Sequence, residues 1–345
     1  MLKHISEIIV GDKNQADEYG ARDTFENSSL EDVGSGDYDE DDEEKPDEAS
    51  KEDRIEDEDR ITLSWKNVCV RTTIGGGKSA SSKDILVDVE GIVRPGSLVA
   101  LMGASGAGKT TLLNTLNFRN RAGLKVAGDI MINGHQVDQK QMSDVSVFVQ
   151  QEDVFVGTLT VKEHLTFHAK LRMKHSSREQ ILQRVDDVMV QMGLKKCENV
   201  LIGVPEKIKG ISGGETKRLA FAAEILMKPA LIFCDEPTSG LDSFMATSLV
   251  KLLNRYAEAG RTIICTIHQP SSDIFQLFDH ICIMAEGKCA FIGLSKDCAA
   301  TFDKAGYPCP ENYNPSDHYV FLLAVSPDIS RWFFSPGEEG VFRIT

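Results

Sequence analysis

Residues 97–118 read SLVALMGASGAGKTTLLNTLNF. Seven apolar or small residues suited to a buried strand run straight into a glycine-rich bend. Behind it come leucines spaced for a helix. The bend matches G-x-x-x-x-G-K-[ST] at Gly103, Gly108, Lys109 and Thr110. Glycines let successive backbone N–H groups close around an anion, and the helix start adds the positive end of its dipole. The loop Gly103, Ala104, Ser105, Gly106, Ala107 and Gly108, with Lys109, Thr110 and Thr111, is therefore expected to cradle nucleotide phosphates. Lys109 would neutralise the β- and γ-phosphates, and the Thr110 hydroxyl would meet Mg²⁺.

A phosphate loop of this kind needs carboxylates on a neighbouring strand. LIFCDE at 231–236 supplies them after four apolar residues: Asp235 for Mg²⁺, and Glu236 near the γ-phosphate to orient or deprotonate water. A helical segment, FMATSLVKLLNRYAEAG, separates this strand from TIICTIH at 262–268, making a βαβ unit that ends on His268. That position makes His268 a γ-phosphate contact. HICIMAEGKCAFIG reads as a hairpin around Glu286 and Gly287. No N-K-x-D guanine-reading motif occurs, which favours ATP over GTP.

Upstream, TLSWKNVCVRT alternates as a strand, and DILVDVEGIV follows after the loop GGGKSASSK. Between about 153 and 228 the pattern turns helical. Thr160 and Glu163 form a T-x-x-E capping box that starts a helix at Val161. In REQILQRVDDVMVQMG, the residues Ile181, Leu182, Val185, Val188, Met189 and Met192 form one apolar face, and Gly193 stops the helix. The fold expected is α/β: a P-loop NTPase core with a parallel sheet, an N-terminal antiparallel β region and a helical insert.

The formal charge of −15 is not spread over the chain: residues 1–60 hold 23 acidic and 7 basic side chains of the 53 and 38 in the whole sequence. The remainder is close to neutral at +1 with no basic stripe, which argues against a nucleic-acid partner. Residues 1–60 have little apolar surface to bury and are expected to be a disordered acidic tail. The eight cysteines form no C-x-x-C pair and several fall in apolar strands, as reduced buried thiols do. No apolar run approaches the ~18 residues that a membrane span needs.

One motif is left over. GISGGETKR at 210–218 is a second glycine turn opening a helix, with no second phosphate loop to serve. It reads as an anion-binding helix N-terminus for the nucleotide of another subunit, or as an ordinary helix start.

The ordered set GASGAGKTT, VQQED, ISGGE, LIFCDEPTSGLDS and TIHQPSS resembles the ATP-binding domain of ABC transporters. LTFHAKLRM, GVPEKIKGISGGETKRLAFAAE, IHQPSSDIFQLFD and NYNPSDHYV narrow the likeness to White-like half-transporters of the G subfamily, over about residues 61–326. That resemblance implies two such domains stacked head to tail. Ser212, Gly213 and Gly214 of one subunit, with Glu215, would then close on the ATP held by the other. It also implies that Gln151 senses Mg²⁺, that residues 239–242, ending at Asp242, communicate between the sites, and that His268 is a γ-phosphate switch. Lys109, Glu236 and His268 are thus the expected catalytic residues, with Thr110, Gln151 and Asp235 at the metal.

Departures from the family pattern are Ile211 in place of Leu, Glu215 in place of Gln, and Val70 where an adenine-stacking aromatic is expected. The domain boundaries implied are 61–325 for the nucleotide-binding domain and 326–345 for a tail, without the membrane domain that follows in half-transporters. The activity expected is transport-coupled ATP hydrolysis with a second half-transporter subunit, at the cytoplasmic face of a membrane. The alternative is a truncated soluble form that pairs with full-length half-transporters as a regulatory module.

Overall fold

The described chain begins with a short 3₁₀ turn and two long strands, β1 (Leu63–Ile74) and β2 (Ser81–Val93), followed by β3 (Ser97–Gly103). This is a computed structural model that describes residues 54–74, 81–119, 122–151, 155–204 and 206–325. Residues 1–53 and 326–345, which carry the expected tails, lie outside it. The expected boundary at 61 moves. Ile55 is buried and its N–H donates to Ala259 O at 2.9 Å, so residues 54–60 are folded against the domain.

After the phosphate loop come α1 (Lys109–Leu116), β4 (Leu124–Ile132), β5 (His135–Gln136), α2 (Gln139–Val145) and β6 (Ser146–Val149). The helical insert holds α3 (Val161–Arg172), α4 (Arg178–Gln191) and α5 (Gly213–Ile225). The second half runs β7 (Leu231–Asp235), α6 (Ser243–Glu258), β8 (Thr262–Thr266), α7 (Ser272–Gln276), β9 (His280–Ala285), β10 (Lys288–Leu294), α8 (Ser295–Lys304) and α9 (Pro315–Val325).

Two sheets result. The antiparallel sheet has the order β2-β1-β4-β5, and the main sheet the order β10-β9-β3-β8-β7-β6. In the main sheet β9, β3, β8, β7 and β6 run parallel, and only the β10–β9 hairpin is antiparallel. β3, β7 and β8 are buried at every position, as interior parallel strands covered on both faces must be.

Alternation along β3 divides the interior into two cores. Leu98, Ala100 and Met102 face the insert and α6, whereas Val99 and Leu101 face α1 and the antiparallel sheet. α6 joins the first core through Leu249, Val250, Leu253 and Ala257, spaced for one helical face.

The capping box of α3 is present: Thr160 accepts from Glu163 N, and Glu163 accepts from Thr160 N. In α4, Ile181, Val185, Val188, Met189 and Met192 are buried, but Leu182 is 38% exposed and does not belong to that face. The flank is taken instead by Arg184, whose buried guanidinium donates to Ile225 O and Leu226 O and satisfies carbonyls at the end of α5. No described helix is long and apolar enough to cross a membrane.

Candidate functional site

The phosphate loop is shaped by what presses on it. A Cβ at Gly103 would lie 2.2 Å from Met284 O, and at Gly108 2.6 Å from a Leu86 methyl, with φ of +146° and +103°. Only glycine fits either place. The β9–β10 turn supports the loop from below, since Gly287 N donates to Ala107 O at 3.1 Å.

Lys109 is 6% exposed and its ammonium donates to Gly103 O at 2.8 Å and Ala104 O at 3.1 Å. Burial lowers its pKa, while the carboxylates of Glu236 and Asp235 act to raise it. The cation therefore stands over its own loop, where phosphate oxygens would replace the two carbonyls. Ser105, Gly106 and Thr110 are exposed, Ala107 and Gly108 buried, and Ala104 and Thr111 half-buried.

β7 delivers Asp235 as its last residue. Its Oδ1 accepts from Thr110 Oγ1 at 3.1 Å and from Thr266 Oγ1 at 2.6 Å. Thr266, wholly buried on β8, also accepts from Glu236 N at 2.8 Å. One hydroxyl thus fixes both carboxylate-bearing residues. Glu236 needs the support, because its φ of +45° lies in the left-handed region that costs a non-glycine residue ~1–2 kcal/mol. Its Oε2 accepts from Gln151 Nε2 at 2.8 Å, and the Gln151 carbonyl accepts from Lys217 Nζ at 2.6 Å. Nothing in the sequence pattern singles out Thr266 or Lys217: one is a strand threonine among isoleucines, the other a helix-surface lysine.

His268 does not end β8 as expected; the strand stops at Thr266 and His268 is exposed two residues on. It lines both clefts of the site. One, of about 250 Å³, includes Gly103, Ala104 and Ser105; the other, of about 460 Å³, includes Glu236, Ser239 and Gly240. Asp242 caps α6, accepting from Met245 N at 2.8 Å, and lines neither cleft.

The leftover glycine turn is a capped helix start. Ser212 accepts from Glu215 N, and Glu215 Oε2 accepts from Ser212 N at 2.7 Å. Those bonds hold the Glu215 carboxyl below its ordinary pKa, the backbone N–H of Ser212 first. Ser212 and Gly213 are exposed, whereas Gly214 is buried where a Cβ would come within 3.0 Å of Met245 Sδ. Among the described residues, no hydrogen bond joins 212–215 to 103–111, so the structure does not bring these two glycine turns together within one chain. Val70, expected near a base, is fully buried in the antiparallel sheet and cannot meet one.

The expected metal donors are all oxygen: the Thr110 hydroxyl and the Asp235 carboxylate, which are bonded to each other, and the amide oxygen of Gln151, whose nitrogen meets Glu236. That suits a hard cation such as Mg²⁺, which keeps waters and phosphate oxygens in its sphere. No group of three or more His, Cys, Asp or Glu that could hold a metal occurs among the described residues, so no all-protein cage competes.

Strand, phosphate loop, helix, carboxylate strand and helical insert together define an ABC-type ATPase domain. The family model described as ABC transporter matches residues 86–239, and one described as ABC-2 type transporter matches residues 268–329. The described part of that second match supplies β9 and β10, strands of the main sheet itself, and the helices α7, α8 and α9.

The chain is 52% identical over 251 residues to Protein white of Ceratitis capitata, covering 72% of this chain and 37% of that protein. It is 45% identical over 271 residues to Protein scarlet of Drosophila melanogaster, covering 78% and 40% respectively. Among solved structures, cbiO1 from Clostridium perfringens, part of the ABC transporter complex cbiONQ, superposes with a TM-score of 0.57 at 25% identity. That match covers 70% of this chain and 91% of that one. The chain carries an ATP-binding domain of the ABC transporter type, similar in sequence to those of Protein white and Protein scarlet. It spans 37% and 40% of the length of the two relatives named.

Proposed function

We propose that this chain binds and hydrolyses ATP between two subunits to power a White-like half-transporter. The observation that carries the proposal is the bonded set Thr110–Asp235–Thr266–Glu236–Gln151 beside a phosphate loop with a buried lysine. Backbone N–H groups of residues 103–111 would hold the phosphates, with Lys109 between the β- and γ-groups. Thr110, Asp235 and Gln151 would hold Mg²⁺, which would neutralise negative charge on the phosphates. Glu236, anchored at its backbone by Thr266, orients the attacking water and takes its proton. The water oxygen bonds to the γ-phosphorus, the β–γ bridging bond breaks, and ADP and inorganic phosphate leave. His268, exposed between the two clefts, contacts the γ-phosphate and reports its loss.

The exposed Ser212–Gly213 helix start would close on the ATP of a second subunit, identical or a related half-transporter, giving a head-to-tail sandwich. Glu215 and the loop 239–242 complete that contact. The cargo is a small molecule moved across a membrane whose cytoplasmic face this domain occupies. The match to the family model described as ABC-2 type transporter, and the likeness to ABC transporter ATP-binding protein/permease wht-1 of Caenorhabditis elegans, support that class of partner and place. No observation favours the separate regulatory module.

The test is direct. Glu236→Gln should retain ATP binding and lose at least ~100-fold in turnover, and Lys109→Ala should lose ATP binding. Wild-type turnover in the first variant, or retained affinity in the second, refutes the assignment.

A further inference from the structure

The Ser212–Gly214 turn and the Glu236 carboxylate of one chain lie in different parts of the fold, yet the Lys217 side chain links them by way of Gln151. Lys217, half-buried on α5, is five residues beyond the Ser212 cap. Its ammonium donates to the Gln151 carbonyl at 2.6 Å, and the Gln151 amide donates to Glu236 Oε2 at 2.8 Å. We infer that Lys217 is a positioning residue, a strut through which the α5 helix sets the Gln151–Glu236 pair of its own chain.

The inference rests on the proposed ATPase reading and goes one step past it. Gln151 lies two residues beyond the end of β6, where ladder bonds no longer fix the backbone. A cationic donor on its carbonyl makes a short, charge-assisted bond that holds that backbone in place. Holding it fixes where the side-chain amide can reach, and that amide already meets the carboxylate that would activate water. The other end of the strut is packed against α6. Gly214, in the first turn of α5, packs against Met245 Sδ of α6, and Arg218 reaches the same sulfur at 4.0 Å.

A displacement of the α5 N-terminus, such as engagement of residues 212–215 by a partner's nucleotide, is therefore passed to Gln151 and on to Glu236. The site that closes on the partner's ATP in this way adjusts hydrolysis at its own. The coupling is carried by two hydrogen bonds and needs no movement of β7 or of the phosphate loop.

The experiment uses the full chain with Mg²⁺ and ATP, comparing wild type, Lys217→Met, Lys217→Arg, Gln151→Ala and the double variant Lys217→Met/Gln151→Ala. Lys217→Met should lower kcat about tenfold, the loss of one supporting charge-assisted bond. It should also raise the Mg²⁺ concentration for half-maximal turnover, while ATPγS affinity changes less than about twofold and the melting temperature holds. Lys217→Arg should recover most of the rate. Because Lys217 acts through Gln151, the double variant should be no slower than Gln151→Ala alone. An unchanged kcat in Lys217→Met, additive losses in the double variant, or parallel loss of rate, ATPγS affinity and melting temperature overturns the strut. Failure of the ATPase reading looks different: wild type and Glu236→Gln would then turn over ATP equally.

Discussion

Replacing Thr266 with valine swaps one hydroxyl for a methyl at the point where the two carboxylates meet. Three consequences follow from the geometry. Asp235 Oδ1 loses its 2.6 Å donor, a bond to a charged group worth ~1.5–3 kcal/mol, and keeps Thr110 at 3.1 Å among the described residues. Glu236 N loses its acceptor at 2.8 Å, a bond of ~1 kcal/mol. The new methyl, at a fully buried position, returns ~0.8 kcal/mol. The net cost to folding is ~2–3 kcal/mol, measured as a shift in urea midpoint at unchanged m.

The functional cost has a separate origin. The left-handed backbone at Glu236 (φ +45°) is no longer held, so the residue relaxes and carries its carboxylate off the line of attack. Turnover should fall ~10- to 100-fold, the range for small misplacements of a catalytic group. ATPγS affinity should stay within about threefold, because residues 103–111 are untouched. Thr266→Ser keeps the hydroxyl and should restore turnover while losing only ~1 kcal/mol of packing. A Thr266→Val chain as stable and as active as wild type would refute the reasoning, and so would a serine variant as slow as the valine one.

Two further outcomes follow from the same coordinates. Gly103→Ala should abolish nucleotide binding, because its Cβ would stand 2.2 Å from Met284 O, whereas Gly106→Ala, with nothing within 4 Å, should cost only the ~1 kcal/mol of its φ of +79°; titration with ATPγS separates them. His164 is buried with neither ring nitrogen bonded among the described residues, against Phe155 and His168, and burial first, then His168, lowers its pKa from 6.5 to about 4. The unfolded chain thus binds a proton that the folded one refuses. Stability is full above about pH 6.5 and falls by up to ~3 kcal/mol as the pH drops toward 4. His168, also lowered by burial and by Arg172, adds to the same trend, against the pull of Glu224. Denaturant melts of His164→Phe should show a flatter pH dependence, and an unchanged slope would count against the assignment.

Some features were legible because they are local. A strand that is apolar at every position and breaks into Gly-x-x-x-x-Gly-Lys-Thr has few places to go, and β3, α1 and the Asp235 strand lie where that pattern puts them. The capping box at Thr160 was equally readable, being set by residues three apart. Errors arose where a position depends on a partner far along the chain. Leu182 fits the apolar spacing of α4, but Arg184 takes the flank because α5 ends there with carbonyls to satisfy. Ile55 sits in an acidic run that reads as unfolded, yet it is buried, and its N–H donates to Ala259 O about two hundred residues away.

The same distinction explains why the supporting residues escaped notice while those proposed to react did not. Lys109, Asp235 and Glu236 carry chemistry that their residue type announces once a phosphate loop stands beside them. Thr266 and Lys217 carry none; each matters only through the atom it holds, Asp235 Oδ1 and Glu236 N in one case and Gln151 O in the other. A threonine in a β-rich segment is chosen for its branched Cβ in most settings. Here the strand register that sets Asp235 opposite Thr266 gives the hydroxyl its second task. That register comes from β7 and β8 pairing in parallel across α6, so the accuracy of the site is a property of the sheet, and no shorter segment encodes it.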